Sequence, residues 1–307
     1  MTDTTYNYSQ HLPGDSEKAR AILFIKFMLF SASLVPSAVA GAVAYNEGSF
    51  SWLPFILLAF ILFFGQAAGD YLYYYFTHFH TDSRDSHTKI FAGWKPLLVG
   101  SVLQPKHSLP AGIFCMGLDV IFGVYFIFQL GWTAVYPAIA GGLIAVFFTP
   151  LMLKGFKEIV IFITFGPLCI ISGVFVLTGE FSMTALYTSL PIGFFVTIVA
   201  YLKGAKFDVV KEGDTEIVMN LRRNIIYMLT GLAYLSILVL QFLNLLPPFG
   251  MTAISTVYLS YLIIKIIKNN KSKVTDYLNA VIYSLASLII TGILISISFI
   301  LSKGNIL

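Results

Sequence analysis

Long apolar runs separated by short polar breaks fill most of this chain. The runs fall at residues 21–45, 52–75, 109–128, 134–153, 159–177, 185–202, 225–246, 251–267 and 278–301. A helix needs about 20 mainly apolar residues to cross a hydrocarbon core about 30 Å thick. Each run is close to that length, so the pattern predicts an all-α integral membrane protein with about nine transmembrane helices. Pro36, Gly41, Pro137, Gly141, Pro167, Gly173 and Pro191 recur inside the runs. Membrane helices tolerate both residue types, and small residues let helices approach closely. The division is a polar tail at 1–20 and a single transmembrane domain at 21–303. That domain carries two long connections, at 76–108 and 203–224.

Composition agrees with this picture. Hydrophobic residues make up 57% of the chain and charged residues 11%, with a mean hydropathy of +0.83. A soluble domain carries roughly 25% charged residues. A chain this apolar cannot cover a water-facing surface and must use lipid as solvent, so the bilayer is its expected partner and nucleic acid is not. The polar start lacks the basic and apolar regions of a cleavable signal and is expected to stay as a cytoplasmic tail. Cys115 and Cys169 both lie within apolar runs, as small buried hydrophobes do.

Charge gives the orientation. Of the 19 Lys and Arg residues, every one except Lys303 falls in or beside alternate breaks of a nine-span chain. The groups are Lys18 to Lys26, Arg84 to Lys106, Lys154 and Lys157, Lys203 to Arg223, and Lys265 to Lys273. The opposite connections, 46–51, 129–133, 178–184 and 244–250, contain none. The positive-inside bias places the N-terminus in the cytoplasm and the C-terminus outside, in a plasma or inner membrane.

The two long inner connections hold the candidate chemistry. In the first, Asp70 ends an apolar run, and Asp82 and Asp85 follow among His78, His80, His87, Arg84, Lys89 and Lys95. An acid flanked by apolar residues is costly and usually faces a polar cavity. Carboxylates beside basic residues suit Mg²⁺ holding a phosphorylated ligand, because Mg²⁺ takes one or two carboxylates together with phosphate oxygens and water. Arg84 and Lys89 taken alone read as a solvated loop. In the second connection, Asp208 and Glu212 are four apart, so a helix would set both on one face. Asp214 and Glu216 read as a surface ion-pair network with Lys206 and Lys211. The segment THFHTD at 77–82 matches an H-x-H-x-D zinc pattern, a chance match on this reading, although a local His/Asp transition-metal site stays open. Asp119, inside the third run, reads evenly as a structural or a cavity-lining acid.

These two connections resemble the UbiA superfamily of intramembrane prenyltransferases, most nearly its menaquinone-pathway branch, which prenylates dihydroxynaphthoate. FMLFSASLVPSAVAG at 27–41 is similar to the family's first span. QAAGDY at 66–71 stands where the family has an Asn-Asp-x-x-Asp motif, and KPLLVGSVLQP at 95–105 resembles its Arg-Pro-Leu-Val stretch. The segment 154–173 is similar to the opening of span five, and 208–221 to the second Asp motif. The resemblance implies a UbiA-type bundle of nine spans with a cytoplasmic N-terminus. It also implies Mg²⁺ and the transfer of a polyprenyl group from its diphosphate to an aromatic quinone precursor.

The resemblance keeps Asp70 and Asp208 as catalytic and metal-binding acids; Asp82, Asp85 and Glu212 are the candidate metal ligands that would make up for the missing motif acids. Lys95, Lys154, Lys203 and Arg84 are the expected diphosphate contacts. The chain departs from the motif at Gly69, Tyr73, Ala200, Tyr201 and Gly204, where the family carries Asn or Asp. Those departures leave room for a UbiA-fold binding or accessory protein with altered catalysis.

Overall fold

A computed structural model describes residues 33–80, 107–204, 216–269 and 274–303. Among these residues the elements are helical. They are α1 (Leu34–Asn46), α2 (Trp52–His80), α3 (Ser108–Leu130), α4 (Val135–Leu153), α5 (Lys157–Ile163), α6 (Cys169–Thr178), α7 (Met183–Gly204), α8 (Glu216–Phe242), α9 (Val257–Lys268) and α10 (Val274–Leu301). Seven stretches are long and apolar enough to cross a bilayer, with α1 as a shorter apolar helix. The predicted all-α membrane bundle is therefore the observed one.

One of the seven stretches, Ser108–Met152, has 45 residues. A straight helix of that length would reach about 67 Å, more than twice the hydrocarbon core. It breaks at Gly131, whose φ of +69° starts a 3-10 turn, Gly131–Ala134, between α3 and α4. A side chain there would be strained, and glycine removes the penalty. The break separates two passes where the hydropathy pattern divides them.

Contacts between helices set their directions. The Ser33 N–H donates to Gln66 Oε1 at 3.0 Å, and Gly41 packs on Phe55, so α1 and α2 are antiparallel. Gly112 packs on Leu72, while Phe122 stacks on Phe60 at 5.8 Å, which makes α3 antiparallel to α2. Lys157 Nζ donates to the Ala200 carbonyl at 2.9 Å, and Gly166 meets Gly193, so the α5–α6 pass opposes α7. Asn46 Nδ2 donates to the Phe299 carbonyl at 3.0 Å and to Ser302 Oγ at 3.1 Å, tying the ends of α1 and α10. Counting α5 and α6 as one pass, the described residues make nine alternating passes. His80, Ser108, Lys154, Lys157, Gly204, Glu216, Lys268 and Val274 consequently share one end of the bundle, called here the inner end.

Two details differ from the hydropathy pattern. First, α2 runs on to His80, and α8 begins at Glu216, so helix takes up parts of the connections at 76–108 and 203–224. Polar side chains do not stop a helix as Gly or Pro does. Second, a π-helical turn, Thr164–Leu168, joins α5 to α6 at Pro167. Proline lacks the N–H that the α ladder needs, and a wider turn accommodates the loss. Residues 21–32 of the first predicted span lie outside the described residues.

The core lies along α1, α7 and α10, where Val39, Ile192, Phe195, Leu285, Leu288 and Ile295 are buried. The outer faces of α3 and α4 are apolar and exposed, as lipid contact requires. Trp52, Trp132 and Tyr136 stand exposed at the outer helix ends, where amphipathic rings favour the membrane interface. Cys115 and Cys169 are buried, so introduced cysteines will report cleanly. A membrane-impermeant maleimide should label Ser49→Cys and Phe156→Cys only in vesicles of opposite orientation. Labelling of both in the same vesicles would overturn the nine-pass arrangement.

Candidate functional site at the inner end

Asp70 sits five residues past the midlength Gly65, toward the inner end of α2, and its side chain is half-buried. Tyr71 and Tyr73 lie within electrostatic reach of its carboxylate. Tyr73 thus occupies the neighbourhood in which the resemblance expects a second acid. Lys154 closes α4 and is exposed at the same end. Lys203 falls in the last turn of α7. Asp82, Asp85, Arg84 and Lys95 lie within 81–106, and Asp208 and Glu212 within 205–215, outside the described residues. The tail at 1–20 lies outside them as well. Among the described residues no three His, Cys, Asp or Glu side chains gather into a metal cluster.

The H-x-H pair lands on helix. Positions 78 and 80 both belong to α2 and are two residues apart. On a helix such positions fall about 200° apart around the axis, an unfavourable start for a shared ion.

Sequence reasoning missed a group of residues at this end. Glu158 opens α5 beside Lys157, and the Tyr201 hydroxyl lies within electrostatic reach of Glu158 and Arg222. The Lys157–Ala200 hydrogen bond joins α5 to α7 here. Glu158 in a first helical turn, where acids favour the dipole, was the one local signal.

A cavity of about 350 Å³ lies at the opposite, outer end, lined by Glu47, Thr178, Glu180 and Ser182 among others. Ser182 Oγ donates to Glu47 Oε1 at 2.5 Å and accepts from the Ala185 N–H at 3.1 Å, capping α7. Asp70 lies 18 residues along α2 from its outer start at Trp52, about 27 Å at the helical rise. Of the candidate residues, Asp70 lies in the inner half of α2, and Lys154 and Lys203 at the inner ends of α4 and α7.

Asp119 stands at the midpoint of the 23-residue α3. Ser108, Gly112, Cys115, Asp119, Phe122 and Phe126 repeat every three or four residues and form the seam toward α2. Asp119 Oδ2 lies 3.2 Å from the position a β-carbon on Gly65 would take. Its Oδ1 is buried and has no hydrogen-bond partner among the described residues. Around the α2 axis, Asp70 is turned about 140° from Gly65, so the two acids serve different faces of α2. An unsatisfied buried oxygen costs about 1–3 kcal/mol. Asp119→Val is expected to raise stability by about 1–2 kcal/mol on this ground, read as a higher unfolding temperature in detergent. A lower one would show that Oδ1 has a partner the fold needs.

With this geometry in view, no family model matches the chain. The chain is 30% identical over 188 residues to UbiA prenyltransferase domain-containing protein 1 of Xenopus tropicalis, covering 57% of this chain and 51% of that protein. It is 29% identical over 188 residues to the Danio rerio protein of the same name, covering 58% and 53%. The chain thus spans about half the length of the curated relatives it matches. The likeness supports a relation to the UbiA superfamily.

Proposed function

We propose that this protein is a membrane prenyltransferase, moving a polyprenyl group from its diphosphate to an aromatic, quinone-precursor acceptor of the menaquinone type. The observation that carries the reading is the likeness to the two UbiA prenyltransferase domain-containing proteins, joined to the placement of Asp70 in the inner half of α2 and of Lys154 and Lys203 at inner helix ends. The relatives' names specify no acceptor. The acceptor class rests on the resemblance at 66–71, 95–105 and 154–173.

The implied metal is Mg²⁺. The donor chemistry at Asp70, a hard carboxylate on a half-buried side chain, fits an ion that takes few protein ligands and completes its shell with phosphate and water. Asp70 and Asp208 would hold it, helped by Asp82, Asp85 or Glu212. When bound, it neutralises charge on the departing diphosphate. The chain's own residues do the rest. Lys95, Lys154, Lys203 and Arg84 would supply positive charge where negative charge develops on the leaving group. The apolar helix faces receive the isoprenoid tail and keep water from the allylic cation. That cation is attacked by the electron-rich ring, which then loses a proton.

A second reading, a UbiA-fold binding or accessory protein, is favoured by Gly69, Tyr73 and Gly204 standing at motif positions. The test is purified protein in detergent with labelled prenyl diphosphates, Mg²⁺ and a panel of quinone precursors. Prenylated product supports the first reading. No product, with no Mg²⁺-dependent diphosphate binding, leaves the second.

A further inference from the structure

Three polar side chains in the inner half of α2 share one register. Gln66, Asp70 and Tyr73 follow one another at steps of four and three, so they fall within about 60° around the helix axis. Two contacts show which way that face is turned. Gln66 Oε1 accepts the Ser33 N–H at 3.0 Å, and Phe55, about five full turns from Tyr73, packs against Gly41 of α1. The face therefore looks toward α1, a helix of the buried core. The seam with α3 uses another side of α2, through Gly65, Ala68 and Leu72. Tyr71, about 200° around the axis from Tyr73, packs with Ala67, Ala68 and Cys115 of that seam. Asp70 and Tyr73 continue the α1-facing register past Gln66 toward the inner end, and both are half-buried.

A carboxylate and a phenol on one face act differently on a phosphate. A carboxylate repels phosphate oxygens and meets them across a bound cation. A phenol is neutral, and its O–H donates directly to a phosphate oxygen, in a bond strengthened by the acceptor's charge. We propose that the Tyr73 hydroxyl donates a hydrogen bond to the diphosphate of the prenyl donor, beside Asp70 on the same face of α2. The inference rests on the prenyltransfer reading above and makes Tyr73 a substrate-binding residue. Tyr73 stands about 4.5 Å nearer the inner end than Asp70 along the helix. Asp70 serves the cation, and Tyr73 serves the phosphate oxygens. The face carries one negative charge where a second carboxylate would make two, so it holds a diphosphate with less dependence on bound cation. Gln66, tied to the α1 backbone, is the deepest polar group of this register.

The test uses the full chain in detergent, with inorganic pyrophosphate as the probe in isothermal titration at a series of Mg²⁺ concentrations. Tyr73→Phe removes the hydroxyl alone and should weaken binding about tenfold at every Mg²⁺ concentration. Tyr73→Asp should bind more weakly still at low Mg²⁺ and recover toward the parent at high Mg²⁺, because its carboxylate meets phosphate through the cation. Tyr71→Phe, on the α3 side, should stay within about threefold of the parent. In turnover, Tyr73→Phe should raise the KM for the prenyl diphosphate and leave that for the acceptor unchanged. The proposal is overturned by a Tyr73→Phe variant that binds like the parent, or by a loss in Tyr71→Phe as large as in Tyr73→Phe. A Tyr73→Asp curve parallel to the parent's overturns it as well. So does a shifted Mg²⁺ midpoint in Tyr73→Phe, which would make Tyr73 a prop for Asp70. A parent chain that binds no pyrophosphate at any Mg²⁺ concentration overturns the prenyltransfer reading, and the Tyr73 contact falls with it.

Discussion

Asp70→Asn is expected to lower turnover about a hundredfold, with prenyl diphosphate binding still measurable at high Mg²⁺. The substitution keeps the size of the side chain and removes only its charge. Asp70 is half-buried on a long, well-formed helix, so the carboxylate is held in place rather than free to be replaced by a neighbour. Charge carried by a fixed group matters most where the reaction creates charge, because no solvent reorganisation is then needed. Steady-state rates at saturating prenyl diphosphate and acceptor measure the effect. Glu47→Gln is the companion variant, at the outer end of the bundle, and should leave the rate unchanged. A turnover for Asp70→Asn within about threefold of the parent would remove Asp70 from the chemistry.

How far the sequence carried the reading depends on the range of each interaction. The passes were legible because hydropathy is a property of each stretch by itself. The 156–158 and 179–182 breaks reappear as the starts of α5 and α7, and Gly131 ends α3 where the third and fourth runs part. Alternation of basic groups likewise foretold which helix ends gather at the inner face. Asp70 stood out as an acid ending an apolar run.

What stayed hidden was pairing between helices. Nothing local to Lys157 announces that it reaches the Ala200 carbonyl, because the two are brought together only by the bundle. The seam that lodges Asp119 against Gly65 is of the same kind. So is the hydroxyl network of Tyr234 with Thr256 and Ser260, at 3.1 and 2.8 Å, which ties α8 to the α9 pass. The extension of α2 to His80 was hidden for another reason, since hydropathy marks where lipid ends and not where hydrogen bonding ends. The candidate acids Asp82, Asp85, Asp208 and Glu212 lie outside the described residues, so their part in the site stands as a proposal.

The crossing of the α5–α6 pass with α7 sets the position of everything at the inner end, and it depends on two glycines. A β-carbon on Gly166 would stand 2.9 Å from Gly193 Cα and 3.1 Å from the Ser189 carbonyl oxygen, both backbone atoms. A β-carbon on Gly193 would chiefly meet the Phe162 ring, at 2.9 Å, with Gly166 Cα farther off at 3.3 Å. A ring can swing aside, whereas backbone yields only if a whole helix moves. Close approach of this kind is how small residues drive helix association in lipid, where no hydrophobic force acts between helices. Gly166→Leu is therefore expected to cost about 3 kcal/mol or more, enough to prevent recovery of folded protein. Gly166→Ala should remain foldable and lower the unfolding temperature clearly more than Gly193→Ala does. The ranking is the sharp part of the prediction, because both variants add one methyl group within the same crossing. Equal losses would mean that the two backbones do not touch there. Since α7 carries Tyr201 and Lys203 to the inner end, a correct ranking should be followed by the same order in pyrophosphate affinity.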